Sequence, residues 1–136
     1  MTTTIAEVMA GIETRLQTIT GLRTRDVSPD QIVPPCAIVG VPPIDYLETF
    51  KQSTYTIRPT VTVFTSAALT RAGQIALAKY AEFDGSNSIF QAIRADQTLG
   101  GKVDYCVVLS FRPLGLEEVG IVGYYGGIFE LEVSVS

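Results

Sequence analysis

Most protein chemistry near neutral pH is built on an imidazole, a low-pKa thiol or a paired carboxylate, and this chain has no histidine at all. Ser-His and Cys-His nucleophile activation and the common zinc sites use an imidazole, so those mechanisms are excluded. Cys36 and Cys106 each sit in an apolar, strand-like stretch with no second cysteine nearby, and read as buried thiols outside any disulfide. Two carboxylate pairs are left for acid-base work, Asp45 with Glu48 and Glu117 with Glu118. Neither is flanked by a run that would make an apolar pocket, and adjacent glutamates in an extended segment point to opposite faces, so solvated loop charge is the better account. Gly120, Gly123, Gly126 and Gly127 resemble a phosphate loop only superficially. No Gly-Lys-Ser or Gly-Lys-Thr follows them, and the segment leads into a strand instead of a helix. Glycines there let a long loop bend or let backbone approach a neighbouring subunit, and Tyr124 and Tyr125 at a strand entrance read as packing or interface residues. The expectation is a chain that is not an enzyme, with no catalytic residue, metal or cofactor.

Composition sets the class around these residues. At 136 residues, residues 1–136 form a single domain large enough for one core. The hydrophobic share is 46% and the charged share 18%, on the apolar side of soluble proteins, and no run approaches membrane-spanning length. The surplus apolar material is expected at interfaces. With a net charge of −4 and ten scattered basic residues there is no electrostatic footprint for tight nucleic-acid binding. Glu7 and Glu13 interrupt the N-terminal apolar pattern, which argues against a secretory signal and for a protein made in the cytosol.

The spacing predicts an α+β domain. Thr4 and Glu7 stand at capping-box distance, and Ile5, Val8, Met9, Ile12, Leu16 and Ile19 repeat as one helical face, with Gly21 as a left-handed stop. Leu22 to Val27 reads as a short strand, Ser28, Pro29 and Asp30 as a turn, and Cys36 to Val41 as an apolar strand. From Tyr55 to Thr65, Ile57, Pro59, Val61 and Val63 alternate with Arg58, Thr60, Thr62 and Phe64, with Pro59 marking an edge or a bulge. Ser66 then caps a helix that is expected to turn Leu69, Ala72, Ile75, Ala76 and Tyr80 to one side. Asp84 to Asn87 is a turn, and Ser88 with Gln91 caps a short helix ending near Asp96. After Gly100 and Gly101 a strand is predicted from Lys102 to Phe111, in which Val103, Tyr105, Val107, Leu109 and Phe111 alternate with Asp104, Cys106, Val108 and Ser110, and Pro113 is expected to stop it. The chain closes on a strand with one acidic face, Tyr124 to Val135 at its widest and Gly127 to Val135 at its centre. The sum is a mixed, mainly antiparallel sheet of about four or five strands with helices packed on it.

Two long connections are left over, Pro42 to Thr54 and Leu114 to Gly123. Long connections between well-formed elements are often functional, and these carry more apolar residues than solvated loops need. The candidate assembly surface therefore comprises Ile44, Asp45, Tyr46, Leu47, Glu48 and Phe50 from the first, and Leu116, Glu117, Glu118, Tyr124 and Tyr125 in and beside the second.

The N-terminal helix, the Pro34-Pro35-Cys36-Ala37 strand entry, the Thr60 to Ala67 strand-to-helix passage, Tyr80 to Ile89 with its Asp84-Gly85-Ser86, and the closing Tyr125-Gly126-Gly127 strand together resemble the tail terminator proteins of long-tailed bacteriophages, especially those infecting actinobacteria. The resemblance spans nearly the whole chain through element order and dispersed residues, without a diagnostic motif. It implies an α+β virion protein that forms hexameric rings at the head-proximal end of the tail, stops growth of the tail tube and joins tail to head. Implied partners are further copies of itself, the tail tube protein and head-to-tail connector proteins. DNA would pass through the lumen unread. A ring of six touching spheres leaves a hole one sphere wide, ~36 Å for a chain of this length, enough for a duplex. Other readings from the same residues are a different connector component, such as a stopper or adaptor, and a small-ligand-binding domain.

Overall fold

The computed structural model describes residues 4–19, 21–24, 35–43, 55–66, 71–119 and 122–135, with residues 55, 66, 115–119 and 122–124 described by their backbone alone. Local sequence accounts for the three described helices. In α1 (Ile5–Leu16) the Thr4 hydroxyl accepts from the Glu7 N–H at 3.1 Å, capping a first turn whose N–H groups have no partner inside the helix. Val8, Ile12 and Leu16 then fall on one face and are wholly buried, each stabilising the fold by roughly 1.5–3 kcal/mol. In α3 (Ile89–Arg94), Ser88 plays the same capping part toward Gln91 N–H at 3.0 Å. The two helices are tied by the Arg15 guanidinium, which donates to the Ala92 carbonyl at 3.0 Å. Gly21, Gly85, Gly100 and Gly101 take positive φ at the expected turns, and Leu99, buried at φ 52°, joins them as the non-glycine case.

α2 (Arg71–Ala81) forms as expected but with a different inner face. Gly73, Leu77 and Tyr80 are buried, whereas Ala72 is exposed and Ile75 is 48% exposed; Leu69 lies outside the described residues. Leu77 and Tyr80 join the core on this face, and the Thr65 hydroxyl donates to the Gly73 carbonyl at 2.9 Å beside them.

The sheet is antiparallel throughout its named strands, β1 (Cys36–Val39), β2 (Tyr55–Ile57), β3 (Thr60–Ser66), β4 (Tyr105–Val119) and β5 (Val122–Val135). Ile57 faces Val133 and Thr60 faces Glu130, so β2 and β3 keep one register along β5 and are a single strand interrupted at Arg58 and Pro59. Pro59 has no N–H for the ladder, though its carbonyl still accepts from Leu131 at 3.0 Å. Across the sheet the order is thus β1, β2/β3, β5, β4, with a parallel bridge at Arg23 beside Cys36 on the β1 edge. Only residues 22–24 of the predicted Leu22 to Val27 strand are described. One face of the sheet packs under the helices through Val61, Val63, Phe129, Leu131 and Val133. The other carries Thr56, Arg58, Thr60, Glu130 and Glu132, exposed or half-buried.

Two expectations are overturned at the C-terminal end. Pro113 does not stop the strand, because β4 starts at Tyr105 and runs through Pro113, which stands opposite Gly127, to Val119. The connection expected from Leu114 to Gly123 is instead a hairpin, with β5 beginning at Val122. A proline is tolerated because β4 is bonded on one side only and its other edge is free of ladder bonds among the described residues. The expected alternation from Val103 to Phe111 also lapses. A register shift between Val108 and Ser110 sets Leu109 out of step, so Cys106, Val108 and Phe111 lie opposite the buried Val133, Leu131 and Phe129.

Gly126 and Gly127 are where the sheet is tightest. A Cβ on Gly126 would lie 1.8 Å from the Val63 carbonyl oxygen, and one on Gly127 would lie 2.5 Å from the Phe111 ring, which packs tilted against Phe129 with ring centres 4.7 Å apart. Gly126→Ala must move backbone and should destabilise the protein by about 1–3 kcal/mol in urea unfolding. Val63, fully buried, supplies the comparison: Val63→Asp leaves an unpaired carboxylate in the core and should cost several kcal/mol, and an unchanged melting temperature would overturn the register of β3 on β5.

Candidate functional site

Of the residues singled out in the sequence, Ile44, Asp45, Tyr46, Leu47, Glu48 and Phe50 lie outside the described residues. The other group is drawn together by the β4–β5 hairpin. Leu116 stands opposite Tyr125, Glu117 opposite Tyr124 and Glu118 opposite Gly123, with Val119 opposite Val122 at the end of the ladder. β3 reaches only to Ser66, paired with Tyr125. Past that point β4 and β5 bond only to each other among the described residues, making a two-stranded arm that extends beyond the body of the sheet. Tyr125 is at its root and is buried in the core, which leaves it little surface to offer a partner.

Sequence reasoning does not point to the remaining surfaces. Phe83, just after α2, is 78% exposed and meets Phe90 edge to face with ring centres 5.8 Å apart. Together with Leu109 and Phe111 of β4 and Phe129 of β5 these rings border an apolar groove of roughly 200 Å³. The sequence signal is the pair of phenylalanines flanking the Asp84 to Asn87 turn, but what makes the groove is the bulge at Leu109, which no alternation rule anticipates. A second hollow of roughly 270 Å³ is polar and is bordered by Lys79, Glu82, Asp84 and the turn after them. Ser88, whose hydroxyl donates to the Glu82 carbonyl, closes that turn.

On the face turned away from the described helices, Glu132 accepts from the Tyr105 phenol at 3.1 Å and pairs with Arg58 at 3.4 Å. The hydrogen bond to the carboxylate pushes the Tyr105 phenol up, with smaller help from burial and from the Glu132 charge. An exposed pair of this kind steadies the two strands only slightly. Cys36 and Cys106 are both buried, as expected, and no group of three histidine, cysteine or acidic residues that could hold a metal occurs among the described residues. No described helix is long and apolar enough to cross a membrane. Neither a protein-family model nor a curated protein sequence matches the chain.

Burial pushes the Cys106 thiol up to about 12 from 9.0. Below pH 9.0 the thiol is protonated whether folded or unfolded, so its contribution to stability is full there. Above it the unfolded chain ionises first, and stability is lost as pH rises toward about 12, by at most ~1.4 kcal/mol per pH unit. Urea unfolding on either side of pH 9.0 should show this slope, and Cys106→Ser should flatten it. A slope unchanged by the substitution would assign it to other groups. The native thiol should also resist maleimide until the chain is unfolded.

Proposed function

We propose that the chain is a structural virion protein, a tail terminator of a long-tailed bacteriophage, which caps the head-proximal end of the tail tube and presents the finished tail to the head. The observation that carries the reading is the two-stranded arm from Leu116 to Tyr125. A two-stranded ribbon is marginally stable alone in water, so an arm reaching past its sheet is better suited to being completed by another chain than to standing free. The remaining support comes from the pattern of sequence elements resembling tail terminators, from an α+β fold in keeping with it, and from apolar side chains left in water at the margins of the sheet. On this reading the protein has no catalytic role and takes no cofactor. Copies close into a ring, six in the family resembled, by head-to-tail contacts that repeat under rotation. The ring meets the tube protein on one side and connector proteins on the other, and is assembled in the host cytoplasm. Basic residues are sparse, as suits a lumen through which DNA slides without being held.

Electron microscopy of particles tests the assignment directly. The chain, tagged at its C-terminus, should be found at the head-proximal end of the tail, and phage lacking it should accumulate abnormally long or headless tails. Its absence from that position would reject the assignment. A variant in which residues 117–124 are replaced by an Asn-Gly turn should keep the melting temperature of the native chain, since the arm bonds to no third strand among the described residues, yet fail to complete tails. Normal infectious particles from this variant would make the arm a spacer.

A further inference from the structure

The two most exposed large apolar side chains among the described residues, Phe83 at 78% and Val41 at 77%, lie at opposite margins of the sheet. Phe83 borders the groove against β4. Val41 follows β1, three inter-strand spacings away or ~14 Å across the sheet, just past the last bond of that edge, from the Gly40 N–H to the Thr60 carbonyl at 3.0 Å. The Arg23 bridge covers only the Cys36 end of β1, so the Val41 end is open among the described residues. After Val41 come Pro42, which is buried, and Pro43, which is exposed.

We infer that the groove between Phe83 and β4 receives the Val41–Pro43 edge of a second copy of the chain, in a head-to-tail contact. The inference rests on the assembly reading above and names the surfaces through which it works. Three observations favour this occupant. The groove is walled by phenylalanine rings, and aromatic-lined grooves are what extended, proline-bearing segments dock into. Pro43, the exposed one of the two prolines, has no N–H to strip of water, and the φ of both is already fixed, so little desolvation and little ordering oppose docking of this edge. Finally, the receptor and the inserting edge sit on opposite margins of one sheet, so a twofold axis that matched each patch with itself would leave the complementary patches apart. A head-to-tail repeat brings the two together at every interface, and such repeats close into rings when the rotation allows.

Two singly substituted chains, Val41→Cys and Leu109→Cys, make the test, because both new thiols are exposed while Cys36 and Cys106 are buried. Mixed at the highest soluble concentration and treated with a short bis-maleimide, they should give covalent dimers, and neither chain alone should do so. No dimer in the mixture, or dimers of Leu109→Cys with itself, overturns the contact. In sedimentation, Val41→Asp and Leu109→Asp should each weaken self-association about tenfold or more while keeping the native melting temperature. If both variants assemble like the native chain, the contact is wrong and the assembly reading stands. If both lose assembly but the native chain is absent from the tail end of particles, the contact holds and the tail assignment falls.

Discussion

The constraint on which the structure depends is the double pairing of β5. One flank of this strand bonds to β2 and β3 and the other to β4, so the C-terminal strand joins the chain's two halves. Its inward residues Phe129, Leu131, Val133 and Val135 are all buried under the helices, and its outward Glu130 and Glu132 border the other face. Pairing on both sides requires the neighbours to approach closely where the strand passes Val63 and Phe111. That approach is open only to glycine at 126 and 127. One residue further, at Tyr125, β5 makes its last pair with β3 and from there keeps only β4 among the described residues, so the root of the arm lies beside the same point.

A feature is legible in the sequence to the extent that it is local. The two N-caps, Thr4 toward Glu7 and Ser88 toward Gln91, are each decided within four residues, and in both the cap hydroxyl accepts the expected N–H. The β-branched alternation from Ile57 to Val63 is also local, and Ile57, Val61 and Val63 are buried. The inner face of α2 is not local. Apolar spacing allows either Ile75 or Leu77 to face inward, and the choice is made by packing against other elements, where Leu77 and Tyr80 join the core and Thr65 bonds to the Gly73 carbonyl. Pro113 misleads for a related reason: its effect depends on whether its strand has one neighbour or two, which is a property of the sheet and not of the tripeptide.

The candidate surface is legible in part. Length and apolar content mark the stretch around Leu116 to Tyr124 as unusual, but its glycines argue for a bending loop, whereas Leu116 to Val119 and Val122 to Tyr124 are strand. Pairing between Leu116 and Tyr125 is set by two register shifts earlier in β4, and a shift leaves no mark in residue type. The groove beside Phe83 arises from the first of these shifts. The extra residue carries Phe111 to the face of Phe129, which a regular alternation would have denied it, and Leu109 and Phe111 both border the groove.

Those irregularities also bear on how the chain can meet another. β4 is long and unbonded along one side among the described residues, and a flat strand of that length would invite indiscriminate backbone pairing. It is not flat. Shifts between Val108 and Ser110 and between Pro113 and Leu116 break the run of evenly presented N–H and carbonyl groups, and Pro113 removes one donor outright. Strand addition along β4 is therefore opposed at three points. What the same bulge exposes is a side chain, Leu109 at 45%, next to Phe83. An edge that hinders backbone pairing and presents apolar side chains favours recognition by shape, which admits one complementary surface where an open ladder would admit any extended segment.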